Sequence, residues 1–218
     1  MYNNIKKPIA FHSVDIAITR IHNYKKQILL AQKVKDTEGG SNIWRLPGGF
    51  VDPWDSCAEE SALRESIEET AMKFPDPDYI RTSLAIANEF EEHFAKKKPL
   101  TDKLSKLIEN SGELFVPPDP QEISSIIKQI QEIIIPEVCL AWLRKNVHYI
   151  GSAKIDDARY RDSDHKIITS FYEIENPVGV AGEGPFDDIA RTKWFYLSEI
   201  KEEIMQHPAH KPLFKMLF

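Results

Sequence analysis

The sequence is poor in cysteine and has no long apolar run. Only two of its 218 residues are cysteines, Cys57 and Cys139, and they lie far apart. So few thiols predict neither a disulfide framework nor a zinc site, and His207 and His210, which have no neighbouring carboxylate or cysteine, are expected at the surface. No stretch offers the roughly 18 uninterrupted apolar residues of a membrane span, and the amino terminus lacks the apolar segment of a signal peptide. We therefore expect a cytoplasmic protein without a membrane partner.

The chain also lacks an excess of basic side chains. Its 28 Lys and Arg are outnumbered by 34 Asp and Glu, which gives a formal net charge of -6 at pH 7. Proteins that hold nucleic acid through broad phosphate neutralisation need clustered Lys and Arg, so this class of partner is not expected. A local pocket for a small anionic ligand is compatible with the charge balance.

Strand-like segments lie on both sides of a helical middle. Short apolar runs rich in β-branched residues at 13–20 and 27–31 predict a hairpin or two adjacent strands. Trp194, in the last strand-like run, is expected in the core, and a final helix is predicted at 197–206. This order indicates an α/β or α+β sandwich in one domain, residues 1–218. Similar runs predict three further strands, at 149–152, 166–174 and 192–197.

The middle of the chain, at about 87–147, is predicted to be a helical insertion in this domain. Thr101 and Asp102 are candidate caps of one helix that Gly112 would end, and Asp119 is the candidate cap of a second. The isoleucines of the second helix are expected to pack on the host domain, and an interface between two copies of the chain is the alternative. They recur at the spacing of one helical face: Ile123, Ile126, Ile127, Ile130, Ile133 and Ile134.

Residues 48–70 join a glycine-containing turn to an acidic helix. The helix is predicted to begin near Ser56, because Ser56 and Glu59 have the spacing of a capping box. At 100° per residue, three carboxylates share one sector, and they repel one another by roughly a few tenths of a kcal/mol per pair. A divalent cation bound between the carboxylates would turn this net repulsion into a net attraction. The three side chains are Glu65, Glu68 and Glu69.

The acidic helix face has two interpretations. By itself, an E-x-x-E-E stretch is most often a solvated surface. Gly48 and Gly49 favour binding instead, because glycine allows backbone conformations closed to other residues and lets a carbonyl approach a metal or a phosphate. Mg²⁺ prefers oxygen ligands and commonly bridges carboxylates to phosphates. The combination therefore favours metal-assisted hydrolysis of a phosphoanhydride.

This segment resembles the Nudix box, G-x5-E-x7-R-E-U-x-E-E-x-G-U, in which U is a bulky aliphatic residue. Asp55 stands where the first Glu is expected, eight residues rather than seven separate it from Arg64, and Ala71 replaces the later glycine. The aliphatic residue, Ile67, comes one place later than in the pattern. The residues that match in kind are Gly49, Arg64, Glu65, Ile67, Glu68 and Glu69.

The resemblance implies a fold, a reaction and a set of roles. The fold would be a Nudix-type α/β/α sandwich with a mixed sheet, here carrying the helical insertion. Glu65 and Glu69 would be the main ligands of Mg²⁺, or of Mn²⁺ in its place, with the Gly49 carbonyl as a further ligand. Glu68 would be another ligand or the group that activates water. Arg64 would orient the glutamates, a role compatible with an ordinary i,i+4 pair to Glu68.

Three more segments, at 44–53, 156–162 and 187–194, resemble ADP-ribose pyrophosphatases of the mitochondrial type and the related domain of an ADP-ribose-gated channel. The resemblance implies that Asp157 and Arg159 contact the nucleotide sugar and phosphates. An Arg fork can bind phosphate through two parallel hydrogen bonds, and a carboxylate can accept from ribose hydroxyls. These segments make ADP-ribose the leading candidate substrate.

The same segments supply further candidate site residues. Trp44 and Arg45 are expected to bind substrate, and Asp188, beside Asp187, to position the attacking water. The expected reaction converts ADP-ribose to AMP and ribose 5-phosphate. One alternative is a nucleotide-sensing module without turnover, and another is a hydrolase of a sugar nucleotide or a nucleoside triphosphate. The expected partner is a small nucleotide, and a homodimer is compatible with the sequence.

Overall fold

The structure, a computed structural model, describes residues 10–34, 43–70, 80–114, 119–156, 165–175, 183–186, 189–200 and 210–218. Several residues named in the sequence analysis lie outside these ranges: Ala71, Asp157, Arg159, Asp187, Asp188 and His207. The strands are β1 (Ala10–His22), β2 (Lys25–Lys33), β3 (Gly48–Phe50), β4 (Val147–Ile155), β5 (Lys166–Glu175), β6 (Glu183–Phe186) and β7 (Ile189–Tyr196). The helices are α1 (Ala58–Thr70), α2 (Ile80–Leu114), α3 (Pro120–Gln131), α4 (Glu137–Asn146) and α5 (Lys211–Phe214).

A mixed sheet organises the described residues. Its strand order is β4-β5-β1-β2-β7-β6, and β3 pairs with β1 outside this path. Strand β1 is central, parallel to β5 and antiparallel to β2. The predicted hairpin is confirmed, but its turn is only Asn23 and Tyr24, both at positive φ of 49° and 59°. Such a two-residue turn matches the twist of the flanking strands, which therefore continue through His22 and Lys25.

Helices cover both faces of the sheet. Ile16 and Ile18 of β1 enter a buried cluster with Leu63 of α1 and with side chains of α2 and α4. Ala17, which points to the other face, joins a second cluster that contains Phe214 of α5. This alternation follows from the two-residue period of a strand. The predicted α/β/α sandwich with a mixed sheet is thus confirmed.

Helix α1 begins close to the predicted residue, but the predicted partner of Ser56 and the predicted limits of the next helix are wrong. Helix α1 begins at Ala58, and the carboxylate that turns back to the Ser56 N–H is Glu60 (2.7 Å), not Glu59. Helix α2 runs through Thr101, Asp102 and Gly112, so the predicted caps and stop are wrong. The Thr101 hydroxyl donates to the Lys98 carbonyl within the helix (2.9 Å). Packing upstream of these residues holds the helix together and overrides their local preference.

Helix α3 is capped as predicted. The Asp119 side chain accepts from the Gln121 N–H at 2.9 Å, and Pro120 occupies the first turn. Ile126 and Ile130 are fully buried, but they pack against Leu104 of α2 and Trp54 rather than against the sheet. The helix ends at Gln131, and Ile134, beyond it, is 81% exposed. The isoleucine stripe is therefore mainly a helix-helix contact, and an interface between copies remains a prediction.

The end of the chain also differs from expectation. Only a short 3-10 turn, Leu197–Glu199, stands where a helix at 197–206 is predicted, and residues 201–209 lie outside the described ranges. Leu213 and Phe214 of α5 are buried in the cluster on the sheet face opposite α1. No helix in the described ranges has the length and apolar character needed to cross a bilayer.

A buried group of charges joins α1 to α2. One carboxylate oxygen of Glu60 lies 2.8 Å from His93 Nε2 and 2.9 Å from Lys97 Nζ. All three side chains are buried. Burial alone would raise the pKa of Glu60, but the hydrogen bonds from His93 and Lys97 outweigh it and lower that pKa to about 2. A carboxylate with so low a pKa is an acceptor, so His93 Nε2 carries the hydrogen.

We expect this group to make stability depend on pH in acid. The folded-state pKa of Glu60 is about 2 against an ordinary 4.5, which corresponds to about 3 kcal/mol of stability at neutral pH. Because the pKa is lowered on folding, this contribution is present above about pH 4.5 and is lost as the pH falls towards 2. The difference in unfolding free energy between wild type and Glu60→Gln should therefore narrow in urea melts between pH 7 and pH 2.5.

A matched control is Glu92→Gln, which removes an exposed i,i+4 partner of Lys96 on the same helix. Exposed pairs of this kind contribute little, so this variant should follow the wild type at every pH. A Glu60→Gln difference that stays constant down to pH 2.5 would contradict the assignment.

Candidate active site

The turn before α1 depends on two glycines. A Cβ at Gly48 would lie 2.2 Å from the Val14 carbonyl oxygen, and one at Gly49 would lie 2.5 Å from Glu65 Oε1. At Gly48 the obstacle is backbone, so no side chain fits there, whereas a side chain at Gly49 would push the Glu65 carboxylate out of its place. The glycines therefore bring β3 against β1 on one side and against the acidic face of α1 on the other.

Arg64 lies at the centre of this site. We call Arg64 and its partners Asp55, Glu65 and Glu68 the Arg64 hub. Its Nη2 and Nε donate to the two carboxylate oxygens of Asp55 at 2.9 and 3.2 Å. Its Nη1 donates to Glu65 at 2.8 Å and to Glu68 at 3.1 Å. Nη2 also lies 3.2 Å from the Phe50 carbonyl oxygen. One guanidinium thus ties the turn to two carboxylates of the helix, and the forked geometry fixes its orientation.

Asp55 completes this arrangement despite its irregular spacing in the sequence. Its side chain is only 2% exposed. Besides Arg64, it accepts from the Ser61 hydroxyl at 2.6 Å and from the Asp52 N–H at 3.0 Å. The backbone of Asp55 returns a bond to the Asp52 carbonyl, also at 3.0 Å. The extra residue is therefore absorbed in a tight turn from 52 to 57, and the shorter Asp side chain still reaches Arg64.

The three predicted glutamates differ in exposure and contacts. Glu65 is mostly buried and Glu68 is 48% exposed. Glu69 is 4% exposed, accepts from the Gly48 N–H at 2.8 Å and lies 3.7 Å from Lys33 Nζ. Two of them contact the same Arg64 nitrogen, and the third contacts the adjoining turn. The structure therefore brings all three to one end of the β3 turn.

Negative charge exceeds positive charge around Arg64. Burial raises the pKa of Glu65 to about 7; Arg64 opposes this shift, while the charges of Glu68 and Asp52 add to it. Burial likewise raises the pKa of Asp52 to about 6, again against Arg64 and with help from Asp55. A single guanidinium does not neutralise this many carboxylates, and a further cation would be stabilised here.

Comparison with known proteins shows the family of the chain. The family model of the NUDIX domain matches residues 12–131, more than half of the chain. The chain belongs to the NUDIX domain family. The segment around Arg64 is the one that resembles the Nudix box, in spite of four departures from the pattern.

Individual relatives are more distant or match only in part. A Bacillus subtilis protein provisionally named an 8-oxo-dGTP diphosphatase is 48% identical over 54 residues, which are 25% of this chain and 32% of that protein. The match therefore spans about a third of the length of this relative.

Several solved structures match most of the chain at low identity. A protein of Jonesia denitrificans, provisionally named an asymmetric diadenosine tetraphosphate hydrolase, has a TM-score of 0.51 at 13% identity, covering 96% of this chain and 92% of that one. A NUDIX hydrolase of Alicyclobacillus acidocaldarius has a TM-score of 0.49 at 16% identity, covering 96% and 90%. The NUDIX domain of Shewanella oneidensis NrtR, solved with ADP ribose, has a TM-score of 0.47 at 16% identity, covering 95% and 86%.

Nudix hydrolases generally use divalent metal ions, and the side chains of this box are of the types that bind such an ion. The donors at the site are carboxylate oxygens, which Mg²⁺ prefers, and Glu65 and Glu68 contact a common nitrogen. In the described ranges, however, no three Asp, Glu, His or Cys side chains converge as a ready metal site. Glu65 and Glu68 turn towards Arg64, and Glu69 turns towards Gly48. Metal binding would therefore require these side chains to exchange partners.

A second polar group lies behind the Nudix box. Asp15 of β1 accepts from the Thr169 hydroxyl at 2.6 Å and lies 3.6 Å from His210 Nδ1. His210 Nδ1 accepts from the Leu46 N–H at 3.2 Å. The prediction that His210 lies at the surface is wrong, because the chain after residue 209 returns to the loop that precedes Gly48. Asp15 carried a sequence signal, since it interrupts the apolar run of β1.

The predicted substrate residues are only partly described. Trp44 packs edge-on against Phe195 at 5.0 Å, with the Arg191 guanidinium 5.3 Å from its ring, in the cluster on the face opposite α1. Arg45 exchanges backbone hydrogen bonds with Ala31, both at 2.9 Å. The substrate roles of Trp44 and Arg45 therefore stay predictions, as do those of the undescribed Asp157, Arg159 and Asp188.

Trp194 has the place that the sequence indicates. It packs against the cluster beneath α1 and is half-buried, with the Arg20 guanidinium 4.1 Å from the ring centre.

Four side chains near the box were not predicted from the sequence: Asp52, which is 3.3 Å from Arg64, and Lys33, His93 and Lys97. The last two carry a signal in retrospect, because His93 and Lys97 follow Phe90 at the spacing of one helical face.

Proposed function

We propose that the chain is a Nudix hydrolase that cleaves the diphosphate of a nucleoside diphosphate derivative, with ADP-ribose as the first candidate substrate. The observation that carries this proposal is the Arg64 hub, which holds Asp55, Glu65 and Glu68 beside the Gly48 turn. A surplus of buried carboxylates is costly without a cation. The arrangement is therefore better suited to binding a metal and phosphates than to stabilising the fold.

Each residue has a proposed role. Glu65 and Glu69, both mostly buried, would hold Mg²⁺ or Mn²⁺, and the Gly49 carbonyl would be a further ligand on the resemblance to the Nudix box. Bound metal supplies charge neutralisation at the phosphates and activation of water. Glu68 is the more exposed carboxylate and is suited to accept the proton of the attacking water, as is Asp188. Arg64 orients Glu65 and Glu68 and does not itself contact substrate.

The reaction adds water across one phosphoanhydride bond. For ADP-ribose, attack of water on one phosphorus breaks the bond to the bridging oxygen, which leaves on the other phosphate. The products are AMP and ribose 5-phosphate. Asp157 and Arg159 would bind the nucleotide sugar and phosphates, on the resemblance to ADP-ribose pyrophosphatases.

A second candidate is hydrolysis of a nucleoside triphosphate. The partial match to the Bacillus subtilis protein provisionally named an 8-oxo-dGTP diphosphatase favours it, at 48% identity over 54 residues. A nucleotide sensor without turnover is a third candidate, which the irregular spacing of the box keeps open.

A product assay distinguishes these candidates. Purified protein with Mg²⁺ would be given ADP-ribose, NADH, diadenosine tetraphosphate, dGTP and 8-oxo-dGTP, and the products separated by ion-exchange chromatography. We expect AMP and ribose 5-phosphate from ADP-ribose. Release of pyrophosphate from 8-oxo-dGTP, with no turnover of ADP-ribose, would replace the first candidate by the second. Tight binding of ADP-ribose without products from any compound would support the sensor.

We expect Arg159→Ala to raise the KM for ADP-ribose by about 10-fold or more, because a charge-assisted bond to phosphate contributes about 1.5–3 kcal/mol. The melting temperature should be unchanged. Lys154→Ala, nearby on β4, is the control for a general loss of positive charge. An Arg159→Ala variant with wild-type KM would show that this segment does not bind the phosphates.

A further inference from the structure

The turn that carries Asp55 is anchored on both sides by the buried pair of Glu60 and Lys97. On one side, Lys97 Nζ donates to the Trp54 carbonyl at 2.7 Å. On the other side, the Ser56 N–H donates to Glu60 Oε2 at 2.7 Å. The two anchors flank Asp55 directly in the chain. They meet where Lys97 contacts Glu60 at 2.9 Å.

The Trp54 side chain adds a third anchor, from α2 and α3. Its ring packs against the buried cluster of Leu104, Ile126 and Ile130, between α2 and α3. Helix α2 therefore holds the Trp54 carbonyl through Lys97, and it also contributes Leu104 to the cluster against which the Trp54 ring packs. Any displacement of α2 would be transmitted to the residue next to Asp55, and from Asp55 to Arg64 through their paired hydrogen bonds.

Stability alone does not account for Lys97. An ammonium group buried with a carboxylate often contributes no more than a well-packed apolar pair of the same size, because both charges lose their hydration. Lys97 is 5% exposed at its side chain, so it bears most of this cost. Its additional bond to the backbone of the turn is what an apolar side chain could not supply.

We propose that Lys97 is a positioning residue of the Nudix site: by holding the Trp54 carbonyl together with Glu60, it fixes the turn that places Asp55 against Arg64. Its effect on hydrolysis rests on the proposed function. Its effect on the turn does not, and the two are measured separately. Lys97 acts through Asp55 and Arg64 and contacts neither substrate nor metal.

The test compares three variants. Lys97→Met removes both contacts of the ammonium group. The double variant Glu60→Gln/Lys97→Met restores charge balance: the amide oxygen introduced at position 60 can still accept from the Ser56 N–H, and the amide nitrogen can donate to His93 Nε2 in the other tautomer. The Trp54 carbonyl stays without its donor. Lys98→Met is the matched control, because Lys98 is the neighbouring side chain, is 75% exposed and pairs with Asp102 at the surface.

The first readout is amide hydrogen exchange of the metal-free proteins. We expect exchange of peptides spanning residues 51–57 to be about 10-fold faster in both Lys97 variants, and unchanged in peptides from β1 and β2. The second readout is Mn²⁺ affinity from titration calorimetry. It should fall by up to about 10-fold, the lower end of the effect of removing a direct partner of a metal ligand, because Lys97 acts through Asp55 and Arg64. In turnover, kcat should fall more than KM changes. Lys98→Met should match the wild type throughout.

The double variant decides the outcome. If it recovers wild-type exchange and Mn²⁺ affinity, Lys97 only balances the charge of Glu60 and the proposal is overturned. A double variant that fails to fold would overturn it as well, because the pair would then be needed for the fold itself. Faster exchange in the turn without turnover of any nucleotide by the wild type would leave the positioning role standing and remove the proposed function.

Discussion

Replacement of Glu69 by glutamine is expected to lower kcat by on the order of 10³-fold, which corresponds to about 4 kcal/mol of lost transition-state stabilisation. The fold should survive. A glutamine oxygen can still accept from the Gly48 N–H, which lies 2.8 Å from Glu69 Oε2. What the substitution removes is the negative charge of a side chain that is only 4% exposed. The loss should therefore appear in metal binding and chemistry and not in the melting temperature.

The measurement is kcat and KM for ADP-ribose over a range of Mg²⁺ concentrations, with the melting temperature alongside. Excess Mg²⁺ should recover part of the activity if Glu69 is a ligand, because weaker binding is then offset by mass action. Glu59→Gln, on the same helix but outside the cluster around Arg64, is the control and should behave as wild type. Unchanged kcat in Glu69→Gln at limiting Mg²⁺ would remove Glu69 from the metal ligands.

Local patterns predicted those parts of the molecule whose cause is local. The β1-β2 hairpin follows from two apolar runs around a short polar segment, and the Asp119 cap follows from a side chain that reaches an N–H two residues away. The acidic face of α1 follows from the helical period alone. In each case the interacting groups are within a few residues of one another, so spacing in the sequence determines their distance in space.

The sequence failed where distant segments decide the structure. Thr101 and Asp102 are good caps, but α2 passes through them because its upstream turns are already fixed by burial of Phe90, His93 and Lys97. Intrinsic preference amounts to only a fraction of a kcal/mol per residue, and such packing exceeds it.

The predictions also failed for buried polar side chains, whose partners the sequence does not reveal. Asp55 looked displaced in the Nudix box, and His210 looked like a surface residue. The first is paired with Arg64 and the second reaches the Leu46 N–H, which is 164 positions away in the chain. Neither distance can be obtained from spacing. What the sequence did offer was composition, since polar residues on apolar faces, such as Asp15 and His93, need a partner somewhere.

The largest stability effect is expected for Arg64→Met, which should lower the free energy of unfolding by about 3–5 kcal/mol. Asp55, 2% exposed at its side chain, and the mostly buried Glu65 would lose their shared counterion. Methionine has nearly the same length but supplies no donor. The measurement is urea unfolding at neutral pH, without divalent cations, followed by circular dichroism.

Two further variants separate the Arg64 pair from a general loss of charge. Arg144→Met removes an exposed arginine that lies 3.7 Å from Glu137, and should change stability by less than about 1 kcal/mol. The double variant Asp55→Asn/Arg64→Met should recover part of the free energy of unfolding that Arg64→Met loses. The buried carboxylate of Asp55 is then replaced by a neutral amide, which needs no counterion. If the losses of the single variants Asp55→Asn and Arg64→Met simply add in the double variant, Asp55 and Arg64 are not coupled. The turn would then not position the glutamates through Arg64.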